Sequence, residues 1–176
     1  MNKETEDVRP KSETRRPLDP FDRKILGELV RDGRQTYAEI GARVSLSAPA
    51  VHERVKRLKA RGVVKGTSAM LDAKAIDKPF LAFVHVDAHG WGKSRRMMEL
   101  LEYPEVEELH SVTGDACMIM KVRTENADAL EQFMAQLYAV PGVRGTKSYV
   151  VLTSYQDRPI QAEVTKDWPE WELVED

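Results

Sequence analysis

From Arg54 to Lys65 the chain carries six Lys or Arg residues and no acid. The run grows out of a segment whose apolar residues recur at Val51, Val55 and Leu58. That i, i+4, i+7 spacing specifies a helix with one buried stripe. Glu53, Lys56, Arg57 and Ala60 lie away from the stripe, and Arg54 and Arg61 lie toward one flank. Ser47 is placed to cap this helix and Gly62 to stop it. A helix that is apolar on one side and cationic elsewhere needs a small core on one face and an anionic partner on the other.

The preceding residues supply that core. Asp19 can cap a first helix, with Pro20 at the first helical position, where its missing N–H costs nothing, and Asp22 completing a capping-box-like pattern. Ile25, Leu26 and Leu29 form its inner stripe, with Phe21 one turn earlier and Val30 beside it; Gly33 ends it. Thr36 caps a second helix with Glu39 three residues on. Ile40 and Val44 face inward, Ala38 packs tightly, and Ser45-Leu46 is the turn. After the third helix, Val63 to Lys65 read as a short strand, Gly66 as a bend and Thr67 to Met70 as the return. Three helices and a hairpin over residues 18–70 make a winged helix-turn-helix.

Such a head presents the start of its third helix to the major groove of duplex DNA. Ser47, Ala48, Pro49, Ala50, His52 and Glu53 are the candidates for base edges or close groove contact, the two small alanines permitting close approach. Arg54, Lys56, Arg57, Arg61 and Lys65 are the candidates for phosphates, assisted by the free N–H groups at the helix start.

The net charge of -2 conceals an asymmetry. Residues 18–70 hold 11 Lys/Arg against 6 Asp/Glu, net +5; residues 71–176 hold 11 against 19, net -8. A basic binding surface is carried on an acidic body. Residues 1–17 are polar, of mixed charge, and read as a disordered arm in which Arg15 and Arg16 could touch phosphates.

Residues 71–79 read as a connector. Strands are then expected at Phe80 to Val86, Val106 to Val112, Ala116 to Val122 and Val143 to Leu152. Helices are expected at Lys93 to Glu102, with Met97, Leu100 and Leu101 inside, and at Ala127 to Tyr138, with Ala127, Leu130, Phe133, Met134 and Leu137 inside. The order βαββαβ is the ferredoxin-like split motif, so the fold class is α+β. Helices cover one sheet face. The other needs a cover too, and the same sheet from a second subunit is the simplest. A homodimer would also pair two heads for a two-fold operator.

Enzyme chemistry has little support. His85 and His89 sit on a strand and its loop without a nearby Cys. GWGK at Gly90 to Lys93 is not a phosphate loop. No nucleophile–base set or carboxylate pair is apparent, so no enzyme activity, cofactor or metal is expected. No run approaches the length of a membrane span. The N-terminus lacks the apolar core of a secretory signal. The lone Cys117 points to the reducing cytoplasm.

The motifs resemble the Lrp/AsnC, or feast–famine, transcription regulators. They are LDPFDRKILGELVRDGR at Leu18–Arg34, EIGARVSLSAPAVHERVKRLKARGVVKG at Glu39–Gly66, VTGDACMIMKV at Val112–Val122 and VPGVRGTKSYVVLTSY at Val140–Tyr155. The charged N-terminal arm and GDACMIM give a looser resemblance to regulators of alanine dehydrogenase in mycobacteria. The family resemblance implies a sequence-specific transcriptional regulator of amino-acid metabolism. It implies an amino-acid-responsive, RAM-type C-terminal domain over residues 80–155 that dimerises through its sheets and assembles further to tetramers or octamers. Its effectors bind between dimers near the loop after the second strand, here Thr113, Gly114, Asp115, Ala116 and Cys117. The family often has an Asp where this chain has Cys117, and Asp115 is a nearby replacement. His89 to Arg95 is a second candidate for the pocket. Two other readings are an effector-independent architectural DNA binder and a ligand-sensing assembly protein. The acidic extension at residues 156–176 either packs on a neighbouring subunit through Trp168 and Trp171 or hangs loose.

Overall fold

A computed structural model describes residues 17–89 and 98–167. The described chain forms two compact units. One runs to Ser68 and regains the chain from Arg158; the other is Ala69–Asp157.

In the first unit, α1 (Pro20–Arg31), α2 (Tyr37–Val44) and α3 (Ala48–Ala60) close on Ile25, Ile40, Val44, Val51 and Val55. Each begins as its sequence dictates. The Asp19 carboxylate accepts from the Asp22 N–H at 2.7 Å. Thr36 and Glu39 form a complete capping box, and the Ser47 hydroxyl accepts from the Ala50 N–H. Between α2 and α3 the chain turns at Ser45, in the left-handed region at φ 61°, and Leu46 N–H bonds to the Gly41 carbonyl. A Cβ at Gly41 would meet the Leu46 carbonyl, so the tight turn requires glycine there.

Three local expectations change. Phe21 is 40% exposed, because it lies under the Arg54 guanidinium instead of in the core. Ala38 is exposed, on the outer side of α2. Val63 to Met70 form no strand. Gly62, at φ 67°, turns the chain back so that its N–H bonds to the Lys59 carbonyl and the Val63 N–H to the Leu58 carbonyl, both at 2.9 Å. This is a Schellman cap. It takes up the donor that a hairpin ladder would use, and the Val64 N–H also points to Leu58.

The second unit is a four-stranded antiparallel sheet in the order β2-β3-β1-β4, from β1 (Phe80–Ala88), β2 (Val106–Ser111), β3 (Met118–Thr124) and β4 (Val143–Val150). Helix α4 (Ala127–Tyr138), capped by Asn126, covers one face. Ala82, Val84 and Val86 alternate inward beside Met118, Met120 and Val122, and pack against Leu130, Phe133 and Leu137. The expected helix from Lys93 lies largely outside the described residues. Its described end is a 3-10 turn, Leu100–Glu102, with Leu100 in the core. Strand β3 begins two residues later than expected: the chain bends at Cys117, although its carbonyl still accepts from Val112 N–H and its N–H donates to the Val86 carbonyl.

The other sheet face carries Phe83, His85, Ile119 and Tyr149, with His85 and Tyr149 rings 4.8 Å apart. Beside them Lys121 lies 3.1 Å from Glu107, and Arg123 pairs with Glu107 and with Asp157. Burial opposes the Lys121 charge, but the Glu107 hydrogen bond and the surrounding carboxylates outweigh it and raise its pKa. Among the described residues no helix is long and apolar enough to cross a membrane.

Candidate nucleic-acid interface and ligand loop

The head is joined by an ionic clamp as well as by its core. Asp22 lies on the inner stripe of α1, one turn before Ile25 and Leu26, and its side chain is 3% exposed. Its Oδ1 accepts from Arg54 Nη1 at 2.7 Å and from Arg57 Nη2 at 3.4 Å. Arg54 Nη1 also reaches Asp19 Oδ2 at 2.6 Å, while Asp19 Oδ1 caps α1. The Arg54 hydrogen bond, then the Asp22 N–H, hold the Asp19 carboxyl below its ordinary range, and the same carboxylates raise Arg54. The Arg54 guanidinium sits 5.5 Å from the Phe21 ring centre, adding a cation–π contact. A carboxylate this buried is tolerable only when paired, so Asp22 fixes where α3 lies on α1.

The expected half of the α1 capping box is therefore missing. Asp22 turns its carboxylate to the two arginines, leaving only the Asp19-to-Asp22 N–H bond of the box. The sequence held one signal of this: an acid at an inner-stripe position of an amphipathic helix demands a partner.

The clamp sorts the cations of α3. Arg54 is 24% exposed and engaged on two carboxylates. Arg57 is 46% exposed and has donors beyond its single long contact to Asp22. Lys56 and Lys59 are exposed, as are Pro49, His52, Glu53 and Lys65. Ala48, Ala50 and Arg61 are half-buried and Ser47 is exposed at the cap. His52 stacks near Tyr37, with ring centres 5.3 Å apart, and its Nδ1 lies 3.7 Å from Glu53. The leading turn of α3 thus offers small residues, with Pro49 lacking an N–H and the Ala50 N–H taken by the Ser47 hydroxyl, and its exposed flank offers Lys56, Lys59 and Arg57. Lys59 was not among the sequence candidates, although it lies in the same basic run.

In the second unit, Thr113, Gly114 and Asp115 form an exposed loop with Gly114 at φ 126°, a conformation that suits glycine. Ala116 and Cys117 are half-buried beneath it. The Cys117 thiol lies 3.5 Å from the Ala88 carbonyl and 3.7 Å from Asp87 Oδ1. Asp87 Oδ2 is in turn 3.5 Å from Arg144 Nε. A carboxylate thus lies beside the Cys117 thiol and is paired in turn with a guanidinium. His89 is joined by its N–H to the Gly142 carbonyl; the rest of the His89 to Arg95 candidate lies outside the described residues.

Known proteins agree with this layout. The AsnC-type helix-turn-helix domain matches residues 18–59, and the Lrp/AsnC ligand binding domain matches residues 81–160. The HTH-type transcriptional regulator FL11 of Pyrococcus horikoshii is 35% identical over 141 residues, 80% of this chain and 93% of its own length. The HTH-type transcriptional regulator LrpA of Mycobacterium tuberculosis is 36% identical over 142 residues, covering 80% and 95%. Among solved structures, the transcriptional regulator NMB0573 of Neisseria meningitidis in complex with L-Met superposes with a TM-score of 0.75 at 27% identity, covering 81% of this chain and 94% of that one. With both domains matched in order, and relatives of this identity over four-fifths of the sequence, the chain belongs to the Lrp/AsnC family of transcriptional regulators.

Proposed function

We infer that this regulator acts on amino-acid metabolism by binding duplex DNA with paired heads, under the control of a free amino acid. The observation that carries the reading is the Asp22 clamp. It holds α3 rigidly on α1 while the small leading residues Ala48 and Ala50, and the cations Lys56, Arg57 and Lys59, are turned away from the core. In this reading Ser47 to Glu53 meet the groove and Lys56, Arg57, Arg61 and Lys65 meet phosphates. Arg54 acts through the position it gives the helix.

The open sheet face, with Phe83, His85, Ile119 and Tyr149, pairs two copies. Dimers then assemble further, and the effector sits against the loop from Thr113 to Cys117. Asp87 replaces the family carboxylate at position 117, taking the ammonium of the amino acid, and Arg144 takes its carboxylate. The effector changes DNA affinity in proportion to its preference for one assembly geometry.

The test is light scattering of the purified protein with each amino acid in turn, run beside binding to the DNA upstream of its own gene. A particle whose mass or DNA affinity shifts with one amino acid supports the reading. A particle that binds DNA and ignores them all leaves an effector-independent architectural regulator.

A further inference from the structure

After Asp157 the chain rejoins the first unit and lies on α1 as a strap. Arg23 Nη1 donates to the Ala162 carbonyl at 3.1 Å. The Glu163 carboxylate lies against Gly27, where an added Cβ would meet it. Lys24, Gly27, Glu28 and Arg31 recur at helical spacing on α1, on the side opposite its inner stripe of Ile25, Leu26 and Leu29. Between that side, the end of α2 and the strap lies an open cleft of about 550 Å³. Clefts that hold small organic ligands run from about 300 to 1,000 Å³.

The cleft is cationic. Lys24, Arg31, Arg43 and Arg158 line it against Glu28 and Glu163, net +2. Arg43 Nη1 and Arg31 Nη2 donate to the same Glu28 oxygen, at 2.9 and 3.2 Å. One carboxylate oxygen thus holds two guanidinium groups side by side, and each keeps N–H donors that this oxygen does not use. Among the described residues Arg158 has no ion pair, and Lys24 has only the Phe21 ring, 5.9 Å away. Val30, Val44 and Pro159 add apolar lining.

We propose that this cleft binds a phosphate monoester with an organic body, of the class of a nucleoside or sugar phosphate. Such a group carries about -1.5 to -2 charge at pH 7, which balances the net +2 of the lining. Its oxygens accept in the fork geometry that neighbouring guanidinium groups present, and the apolar lining takes the organic body. A free amino acid is the poorer match: its carboxylate brings one negative charge and its ammonium adds to the cations. The cleft belongs to the head, whereas the loop from Thr113 to Cys117 belongs to the second unit, so the two take different ligands. A bound phosphate joins Arg158 of the strap to α1 and α2 and stabilises the head with the strap in place.

The experiment is isothermal titration calorimetry of the full chain at low salt with adenosine 5′-monophosphate, ribose 5-phosphate and adenosine. At least one of the two phosphates is expected to bind, with adenosine at least about tenfold weaker. Arg158→Gln and Lys24→Gln, both exposed and outside the core, are each expected to weaken the phosphate about three- to tenfold with an unchanged circular dichroism spectrum. Lys56→Ala, on α3, is expected to leave it unchanged. Failure of both phosphates to bind overturns the proposal. So does binding that is lost in Lys56→Ala and kept in Arg158→Gln, which would put the phosphate on α3. A DNA duplex titrated into the same proteins separates the remaining source of phosphate. Duplex affinity that falls in Arg158→Gln while neither small phosphate binds makes the cleft a DNA contact, and the proposal falls.

Discussion

Arg54 Nη1 of α3 lies 2.7 Å from Asp22 Oδ1 of α1, and the Asp22 side chain is all but sealed from solvent. This pair ties the basic helix to α1, and in the proposed reading Arg54 acts by positioning that helix.

Asp22→Ala leaves two guanidinium groups facing a void. Loss of one member of a buried pair costs about 3–5 kcal/mol. Here the cost is nearer 2 kcal/mol, because Arg54 keeps Asp19 and is partly solvated. Urea unfolding of the full chain is expected to show the head melting at lower denaturant. An unchanged profile contradicts the clamp.

Acid should loosen the head. Asp19 is lowered from 3.8 by the Arg54 hydrogen bond and then the Asp22 N–H; Glu39 is lowered from 4.5 by the Thr36 N–H and then its hydroxyl. Both carboxyls bind protons more weakly when folded, so their contribution is complete above those ordinary values and is lost as pH falls through the folded ones. Head stability should therefore hold steady from neutral pH down to about 5 and decline below about 4.5. Asp19→Asn should blunt that decline, which pH-dependent circular dichroism would follow.

The caps differ in strength. Thr36 and Glu39 make a closed box with bonds of 2.7 and 3.2 Å, whereas the Ser47 hydroxyl stands 3.4 Å from the Ala50 N–H. Thr36→Ala should cost about 1–1.5 kcal/mol and Ser47→Ala about 0.5 kcal/mol. Equal costs in thermal unfolding would remove the distinction.

At the ligand loop, Asp87→Asn should weaken binding of the effector amino acid at least about tenfold while leaving DNA binding without effector unchanged. Cys117→Asp in that background should restore part of it. Calorimetry with the amino acid identified by light scattering reads both. Wild-type affinity in Asp87→Asn would place the ammonium elsewhere.

Much of this was legible because it is local. Asp19, Thr36 and Ser47 announce helix starts through patterns three residues long, and Ala82, Val84 and Val86 announce a half-buried strand by alternation. What was hidden depends on distant partners. Phe21 looks like core until Arg54, from another helix, covers it. Val63 and Val64 look like a strand, but Gly62 uses the Val63 N–H to close α3. Asp87 beside Cys117 is separated from it by 30 residues and meets it only through the register of β1 and β3. The strap at Ala162 and Glu163 has no periodicity to read, and its place on α1 is purely tertiary.

The central claim is that α3 binds duplex phosphates through its exposed cations while Arg54 holds the helix in place. The most direct test is the slope of log Kobs against log salt for a DNA duplex. Lys56→Ala should weaken binding to all sequences alike and reduce the slope by about 1 per head. Arg54→Gln should lower the stability of the head and leave the slope of the folded protein unchanged. An unchanged slope in Lys56→Ala, with a slope reduced by about 1 in Arg54→Gln, would contradict the account and make Arg54 the phosphate contact.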